Sequence, residues 1–365
     1  MDSDQIVLLV AFVAPLTLNL LLTPFILNLS HKNQWFDSLD HRKVHAGEVP
    51  RLGGVGFFLS FGLVVLGAVF LIPDFVPQGE ILFMLGGFLL VHLLGLIDDF
   101  RNIRARHKLV GQAIAGGLVV LGGAILPGFS FLGFQVSFGI LSAPLTVFWL
   151  ISLSNAINLI DGVDGLAGGS SLIAALYFGA IHLLTGSLQG AFVSFALAGA
   201  LVGFLVYNRP KARIFMGDSG SLFLGFVLGS LFFIGVPTGS PLSFGGVGVS
   251  LTLLVVPVID MVGAIIRRVR KGRPIFSPDR EHIHHKLMDF GFSVPGILGI
   301  IYPWVILAGG AGLLWAYFLV DSSIPLWVSD LPLLGLWAVS GILFWVIHEK
   351  NKRRRRSSKS LTNNE

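Results

Sequence analysis

Apolar stretches of about 20 residues, the length a helix needs to cross the hydrocarbon of a bilayer, recur along almost the whole chain. Eleven are readable, near 5–29, 53–72, 81–97, 109–127, 139–157, 167–186, 189–206, 220–236, 247–266, 295–319 and 331–348. In lipid every backbone polar group must be satisfied inside the protein, which leaves only helices or a closed barrel. Runs this long and continuous predict helices. The expected fold class is an all-α integral membrane protein, a polytopic helical bundle of about 11 transmembrane helices. Composition agrees: 54% of residues are hydrophobic and 12% charged, against about 25% charged in a soluble domain. The start, MDSDQ, is acidic and lacks the basic flank of a cleavable signal peptide, so the first run is read as a retained span. There is no cysteine, which excludes disulfides, thiolate nucleophiles and Cys-ligated metals.

The basic residues orient the bundle. The connectors near 73–80, 128–138, 187–188, 237–246 and 320–330 contain no Lys or Arg, and the alternate connectors with the tail hold all 25. The positive-inside rule then places the N-terminus outside and the C-terminus in the cytoplasm, with an odd number of spans. A miscounted span would scatter the basic residues onto both sides. One transmembrane catalytic domain is expected over 1–349, with cytoplasmic loops at 31–52, 98–108, 158–166, 207–219 and 267–294. A basic cytoplasmic tail, 350–365, is expected to be disordered. Its run KNKRRRRSSKS follows a final span and is read as an anchor on anionic lipid, not as a nucleic-acid patch. The outside segment GFSFLGFQVSFG alternates weakly and suggests a short hairpin. No internal repeat of the kind found in many secondary transporters is evident.

Four polar clusters lie on the cytoplasmic side. In LIDDFRNIRARHKLVGQ, Asp98 and Asp99 end one span and Lys108 begins the next. By itself this reads as a solvated helix end; a carboxylate pair for a divalent metal or a base, with Lys108 for phosphate, is the functional alternative. In NAINLIDGVDGLAGG, Asn155, Asn158, Asp161 and Asp164 recur every three residues, a spacing that puts them on one face if helical. No Lys or Arg lies within forty residues of this stretch on either side. Unneutralised charge at a bilayer boundary is costly, and its presence points to function. Oxygen donors without His or Cys suit Mg²⁺ better than Zn²⁺. In NRPKARIFMGDSGSLFLG, Asp218 sits at the mouth of the eighth span, either a helix cap or the third acidic site on the same face. In RRVRKGRPIFSPDREHIHHKL, His282, His284 and His285 follow a dense basic run. Their spacing is poor for tetrahedral zinc and fits an anion-recognition loop, Arg for phosphate and His as donor.

Together these clusters suit a pyrophosphate substrate, a divalent metal and a lipid-borne co-substrate: a membrane enzyme of phosphoryl transfer. A membrane transporter is the alternative of another class. It would place polar residues along a mid-membrane path, where only His92, His182 and Asp260 stand, on separate spans. The two histidines are read as packed or hydrogen-bonded core residues. Asp260 either orients the basic loop or is structural.

In their order, the motifs PRLGGVG, DD before KLVGQ, NxxNxxDGxDGLAGG, FMGDSGSLFLG and SPDREHIHHKL resemble the polyprenyl-phosphate N-acetylhexosamine-1-phosphate transferase family. HIHH and the preceding basic loop resemble the branch that uses UDP-N-acetylglucosamine. The resemblance implies transfer of N-acetylglucosamine 1-phosphate to undecaprenyl phosphate, giving undecaprenyl-diphospho-N-acetylglucosamine and UMP. That is the first membrane step of O-antigen, common-antigen or teichoic acid synthesis. Other UDP-N-acetylhexosamines (UDP-FucNAc, UDP-QuiNAc or UDP-MurNAc-pentapeptide) are the alternative donors. It further implies Mg²⁺, with Mn²⁺ as a substitute, and a multi-pass protein of the bacterial cytoplasmic membrane with its active site facing the cytoplasm. Partners would be the two substrates and membrane lipid, without nucleic acid; a homodimer is left open. The implied roles are residue by residue: Asp218 as metal ligand, with Asp98 and Asp161 beside it; Asp98, Asp99, Lys108, Asp161, Asp164 and His282 as catalytic residues. Asn155, Asn158, Asn208, Arg268, His284 and His285 would bind substrate.

Overall fold

The computed structural model describes residues 2–36, 49–72, 78–237, 239–275, 277, 281–321 and 323–362. Much of the first expected cytoplasmic loop, and residues 276 and 278–280 of the last, lie outside them. Helices α1 (Ser3–Asn33), α2 (Gly53–Leu71), α3 (Gln78–Arg101) and α4 (Ala105–Leu121) are followed by strands β1 (Gly128–Phe131) and β2 (Phe134–Ser137). Then come α5 (Ser142–Ile160), α6 (Leu166–Leu184), α7 (Leu188–Asn208) and α8 (Gly217–Ser230), the last prolonged by a 3-10 turn, Leu231–Phe233. The chain ends with α9 (Pro241–Leu253), α10 (Val255–Arg270), α11 (Ile283–Asp289), α12 (Val294–Val320), α13 (Leu326–Ser329) and α14 (Leu331–Thr362).

The result is an all-α polytopic membrane architecture. Every apolar run falls on helix, and eight of these helices are long and apolar enough to cross a bilayer by themselves. The run near 247–266, expected as one span, is instead the pair α9 and α10, bent by 78°. The cause is Pro257. It offers no N–H to Leu253, four residues back, and its ring crowds that carbonyl; α9 ends at Leu253. The remaining two runs give shorter helices, α4 with 17 residues and α8 with 14.

Several helix starts are written in the sequence as Ser caps. Ser187, Ser240 and Ser293 accept from the backbone N–H of Gly190, Ser243 and Gly296, satisfying donors that a helix start leaves free. The GFSFLGFQVSFG segment is a hairpin: β1 and β2 pair antiparallel through Leu132 and Gly133, both at positive φ, as a two-residue primed turn requires. The tail differs from expectation, since residues 350–362 continue α14 as helix. Its Lys and Arg are good helix formers and it holds no Gly or Pro before Thr362. Asn351 also donates to Asp289 of α11 at 3.0 Å.

α8 is the centre of the bundle, packed by α2, α3, α5 and α6, and buried along almost its whole length. Gly54 of α2 meets the backbone of Gly220 so closely that no Cβ fits there. The PRLGGVG stretch thus grips the start of α8: Gly53 and Gly54 donate to Phe215 and Met216 carbonyls, both at 2.9 Å, and Phe215 N–H returns to Pro50 O at 2.8 Å. The N-terminus of the most buried helix is thereby fixed at one end of the bundle.

Candidate active site

The start of α8 carries Gly217 at φ +71, where a Cβ would also strike Arg51 O and the Asp99 carboxylate. Asp99, at the end of α3, spends both carboxylate oxygens on that helix start: Asp218 N–H at 2.7 Å and Ser219 N–H at 2.9 Å. An anionic group here satisfies free donors and the positive end of the helix dipole. Asp99 is therefore a clamp between α3 and α8, and no lone base.

Asp98 points the other way. Its Oδ1 accepts from Ile103 N–H at 2.7 Å, and its Oδ2 takes the Lys108 ammonium at 2.5 Å. Lys108, in the first turn of α4, also reaches Asp218 Oδ2 at 2.7 Å. Asp218 Oδ1 accepts from Asn158 Nδ2 at 3.1 Å, and Asn158 also donates to Ser221 Oγ at 2.8 Å. Residues 110 positions apart thus share one ion-pair network, with Lys108 22% and Asp218 18% exposed at the side chain. One turn below, Asn155 donates to Gln112 Oε1 at 3.0 Å, and Gln112 donates to Ser154 Oγ at 3.2 Å. Asn155 therefore braces α5 against α4 beneath the network.

The DGVDG loop divides its two carboxylates between different tasks. Asp164 is buried, and its Oδ2 accepts from Lys211 and Ala212 N–H at 3.1 and 3.0 Å. Asn208 bridges the same two loops, accepting from Gly165 N–H at 3.1 Å and donating to Ile214 O at 2.8 Å. Both residues, expected in catalysis and nucleotide binding, form clasps that hold the 161–165 loop to the 209–216 loop. Asp161 closes α5 and faces the network. Burial, then the negative charges of Asp218 and Asp99, push its carboxyl up to about 7. A buried carboxyl among like charges favours its protonated form.

The histidine loop docks onto this loop. The His284 ring packs directly on Gly162, so that any side chain there would collide with it. Burial, then the charges of His285 and His282, hold the His284 imidazole well below its usual value, so it is neutral near pH 7. His285 lies against His284, ring centroids 4.2 Å apart, and His282 stacks at 6.0 Å. His282 is buried with Nδ1 2.8 Å from Asp260 Oδ2. Arg268 supports the loop from α10, its Nη1 donating to Ile275 O at 2.6 Å. The other mid-span ionisable residues are spent internally: His92 bonds Ser219 O at 3.1 Å and stacks on Phe58, and His182 bonds Leu231 O at 3.1 Å. Among the described residues, these two histidines form no charged path along the spans.

The donor set around Asp218 fits Mg²⁺ in kind. It is all oxygen, and Asp161 is raised by burial and then by its carboxylate neighbours. Among the described residues no three His, Asp or Glu side chains already converge as a cage. Mg²⁺ needs none, because it keeps waters and takes one or two carboxylates together with substrate phosphates.

Comparison with known proteins settles the family. The model of glycosyl transferase family 4 matches residues 81–236. A probable undecaprenyl-phosphate N-acetylglucosaminyl 1-phosphate transferase of Bacillus subtilis is 34% identical over 304 residues, covering 83% of both chains. The chain belongs to glycosyl transferase family 4. Other family 4 relatives include the decaprenyl-phosphate N-acetylglucosaminephosphotransferase of Mycobacterium tuberculosis, 35% identical over 74% of this chain and 73% of that one. The undecaprenyl-phosphate alpha-N-acetylglucosaminyl 1-phosphate transferase of Escherichia coli is 29% identical over 80% and 78%. The matched segment of the family model carries the whole Asp98–Lys108–Asn158–Asp218 network. The histidine loop lies beyond it. Two members of the site were missed in the sequence. Gln112 and Ser221 each stand four residues after another site element, Lys108 and Gly217, and so share its helix face; that spacing was the available signal.

Proposed function

We propose that this family 4 protein transfers N-acetylglucosamine 1-phosphate from UDP-N-acetylglucosamine to undecaprenyl phosphate, releasing UMP. One observation carries the reading: Lys108 sits between Asp98 and Asp218 at the mouth of a buried helix, beside the Asp161 carboxyl, which is raised by burial and then by its carboxylate neighbours. The donor sugar follows the printed names of the relatives, all three of which specify N-acetylglucosamine.

In the reaction a lipid-phosphate oxygen attacks the β-phosphorus of the nucleotide sugar. The bond to the bridging oxygen breaks, and its electron pair leaves with UMP. The attacking phosphate is already largely ionised near pH 7, since the second pKa of a phosphate monoester is about 6. A general base is not required, so direct attack needs no aspartyl intermediate. Asp98 then serves to hold Lys108. An ammonium has three donors; two go to Asp98 and Asp218, and the third meets a phosphate oxygen. Asn158 fixes Asp218 from the far side. His282, with Arg268 behind the loop, supplies donors to the sugar-nucleotide phosphates. When bound, Mg²⁺ held by Asp218, with Asp161 and Asp98 beside it, neutralises the pyrophosphate and the charge that develops on departing UMP.

The basic connectors all belong to the site end, so the positive-inside rule faces the site to the cytoplasm of a bacterial inner membrane. Eleven crossings, with α9 and α10 as one broken span, keep that assignment consistent. The test is UMP release from UDP-N-acetylglucosamine by the purified protein in detergent, with and without undecaprenyl phosphate and Mg²⁺, run across other UDP-N-acetylhexosamines. Release that needs both additions and prefers N-acetylglucosamine is expected. Release without the lipid, or none at all, would overturn the reading.

A further inference from the structure

Asp260 is the most deeply buried carboxylate among the described residues, at 0% exposure in the middle of α10. It lies outside the Asp98–Asp161–Asp218 group and has no part in the reaction steps described above. A carboxylate taken that far from water is expensive unless it is paired and hydrogen-bonded. Both of its oxygens are committed to one remote segment. Oδ2 is 2.8 Å from His282 Nδ1, and Oδ1 accepts from Ile283 N–H at 3.0 Å. Ile283 is the first residue of α11, and His282 caps that helix without a side-chain hydrogen bond of its own. Asp260 therefore supplies the cap from another helix and, with its second oxygen, fixes the imidazole that stands at the same point.

The consequence is geometric. A carboxylate on Nδ1 requires a proton on Nδ1. That fixes the ring plane and turns Nε2 away from Asp260; Nε2 donates to a phosphate as the imidazolium, which carries a proton on each nitrogen. The loop that carries His282 is long and basic, and a ring in such a loop has many orientations unless something selects one. The selecting group sits on α10, just past the break at Pro257, so it is anchored in the bundle and not in the loop. His284, two residues on, packs on Gly162 of the loop that holds Asp161. The same clamp thus sets the position of the histidine loop over the carboxylate network.

We infer that Asp260 is a positioning residue for the donor: it holds His282 by Nδ1 so that Nε2 meets the phosphates of the sugar nucleotide. This rests on the proposed role of His282, and the two can fail separately. The test uses the full-length protein in detergent, with UDP-N-acetylglucosamine and undecaprenyl phosphate varied independently, for wild type, Asp260→Asn, His282→Ala and the double variant. Asp260→Asn keeps an acceptor for Ile283 N–H and removes the carboxylate from Nδ1. The expected result is a loss of about 10-fold to 100-fold in kcat/KM for the nucleotide sugar, as for misplacement of a binding group, with the KM for the lipid within about twofold and Tm little changed. The double variant should be no worse than His282→Ala, since a residue that acts through another adds nothing once that other is gone.

Asp260→Asn at wild-type activity beside an impaired His282→Ala would overturn the inference alone. So would losses that multiply in the double variant, or a lipid KM that rises in step. His282→Ala at wild-type activity would overturn the role of His282 first and the inference with it. Should Asp260→Asn not fold, Asp260→Ser carries the same comparison; failure of both to fold would make Asp260 a structural residue and end the proposal.

Discussion

Two sets of acidic and amide side chains meet at the site end of the bundle, and they differ in what faces them. Asp99, Asp164 and Asn208 face backbone N–H groups: α8's first turn, the 211–212 loop and Gly165. Asp98, Asp161 and Asp218 face one another and a lysine, with one further oxygen of Asp98 on the Ile103 N–H. The first set is hydrogen-bonded by the fold itself, through dipoles that never leave. The second is balanced in part, and so retains an appetite for a cation and for the phosphates that come with it. Residue type and spacing do not separate the sets. Asp98 and Asp99 are neighbours, as Asp161 and Asp164 nearly are, and in each pair one carboxylate builds the site while the other is available to act.

That contrast is open to attack at several points. The largest effect is expected from Asp218→Ala, which removes the oxygens shared by Lys108 and Asn158. UMP release should fall by about 10³-fold, the scale for losing a preorganised charge contact, and its dependence on divalent metal should vanish with it. Full activity without added metal would dissolve the distinction.

Asp161→Asn comes next, with a loss of about 10²-fold on the same scale, and it carries a pH signature. A carboxyl raised to about 7 in the fold, from about 4 in the unfolded chain, binds its proton more tightly when folded. Its contribution to stability is complete below about pH 4 and lost as pH rises through 7. Without divalent metal, the Tm of the wild type should therefore fall more steeply between about pH 4 and 7 than that of Asp161→Asn. Added Mg²⁺ should recover the loss, and do so less well as pH drops below 7. Superimposable Tm profiles for the two proteins would remove Asp161 from the cation-seeking set.

Gly162→Ala tests the docking of the histidine loop. The added Cβ meets the His284 ring, and displacing the loop should cost about tenfold in kcat/KM for the nucleotide sugar while lipid KM holds. An unchanged nucleotide KM would show that the loop does not depend on this contact. The smallest effect on turnover is expected from Asn208→Ala, in the clasp. It leaves Gly165 N–H and Ile214 O without partners, at about 1–3 kcal/mol for each buried polar group. Thermal unfolding should register that while kcat stays within about twofold. A large fall in kcat at unchanged Tm would move Asn208 across to the reacting set.

Much of the fold was legible beforehand, for a definite reason. Lipid imposes length and continuous hydrophobicity on any span, and both are properties of a single segment. The apolar runs and the GFSFLGFQVSFG hairpin could be read directly. The break in the ninth run was also written in the chain, at Pro257, although it took the bent pair to show that α9 stops four residues before it. The continuation of α14 to Thr362 is a matter of helix propensity, which the charge of the tail does not display.

The site was legible as a list and not as an arrangement. Sequence alone determined that carboxylates, a lysine and histidines gather at one end of a membrane bundle, because the membrane forces such residues to its boundary and because the order of motifs is specific. It did not determine which of them act. Lys108 meets Asp218 across 110 positions, and His282 meets Asp260 across 22. Whether a carboxylate ends against a peptide N–H, a lysine or another carboxylate is set by how helices cross. Those crossings depend on close approaches such as Gly54 on Gly220. Only the tertiary structure decides them, because charge is compensated through space and space is not ordered along the chain.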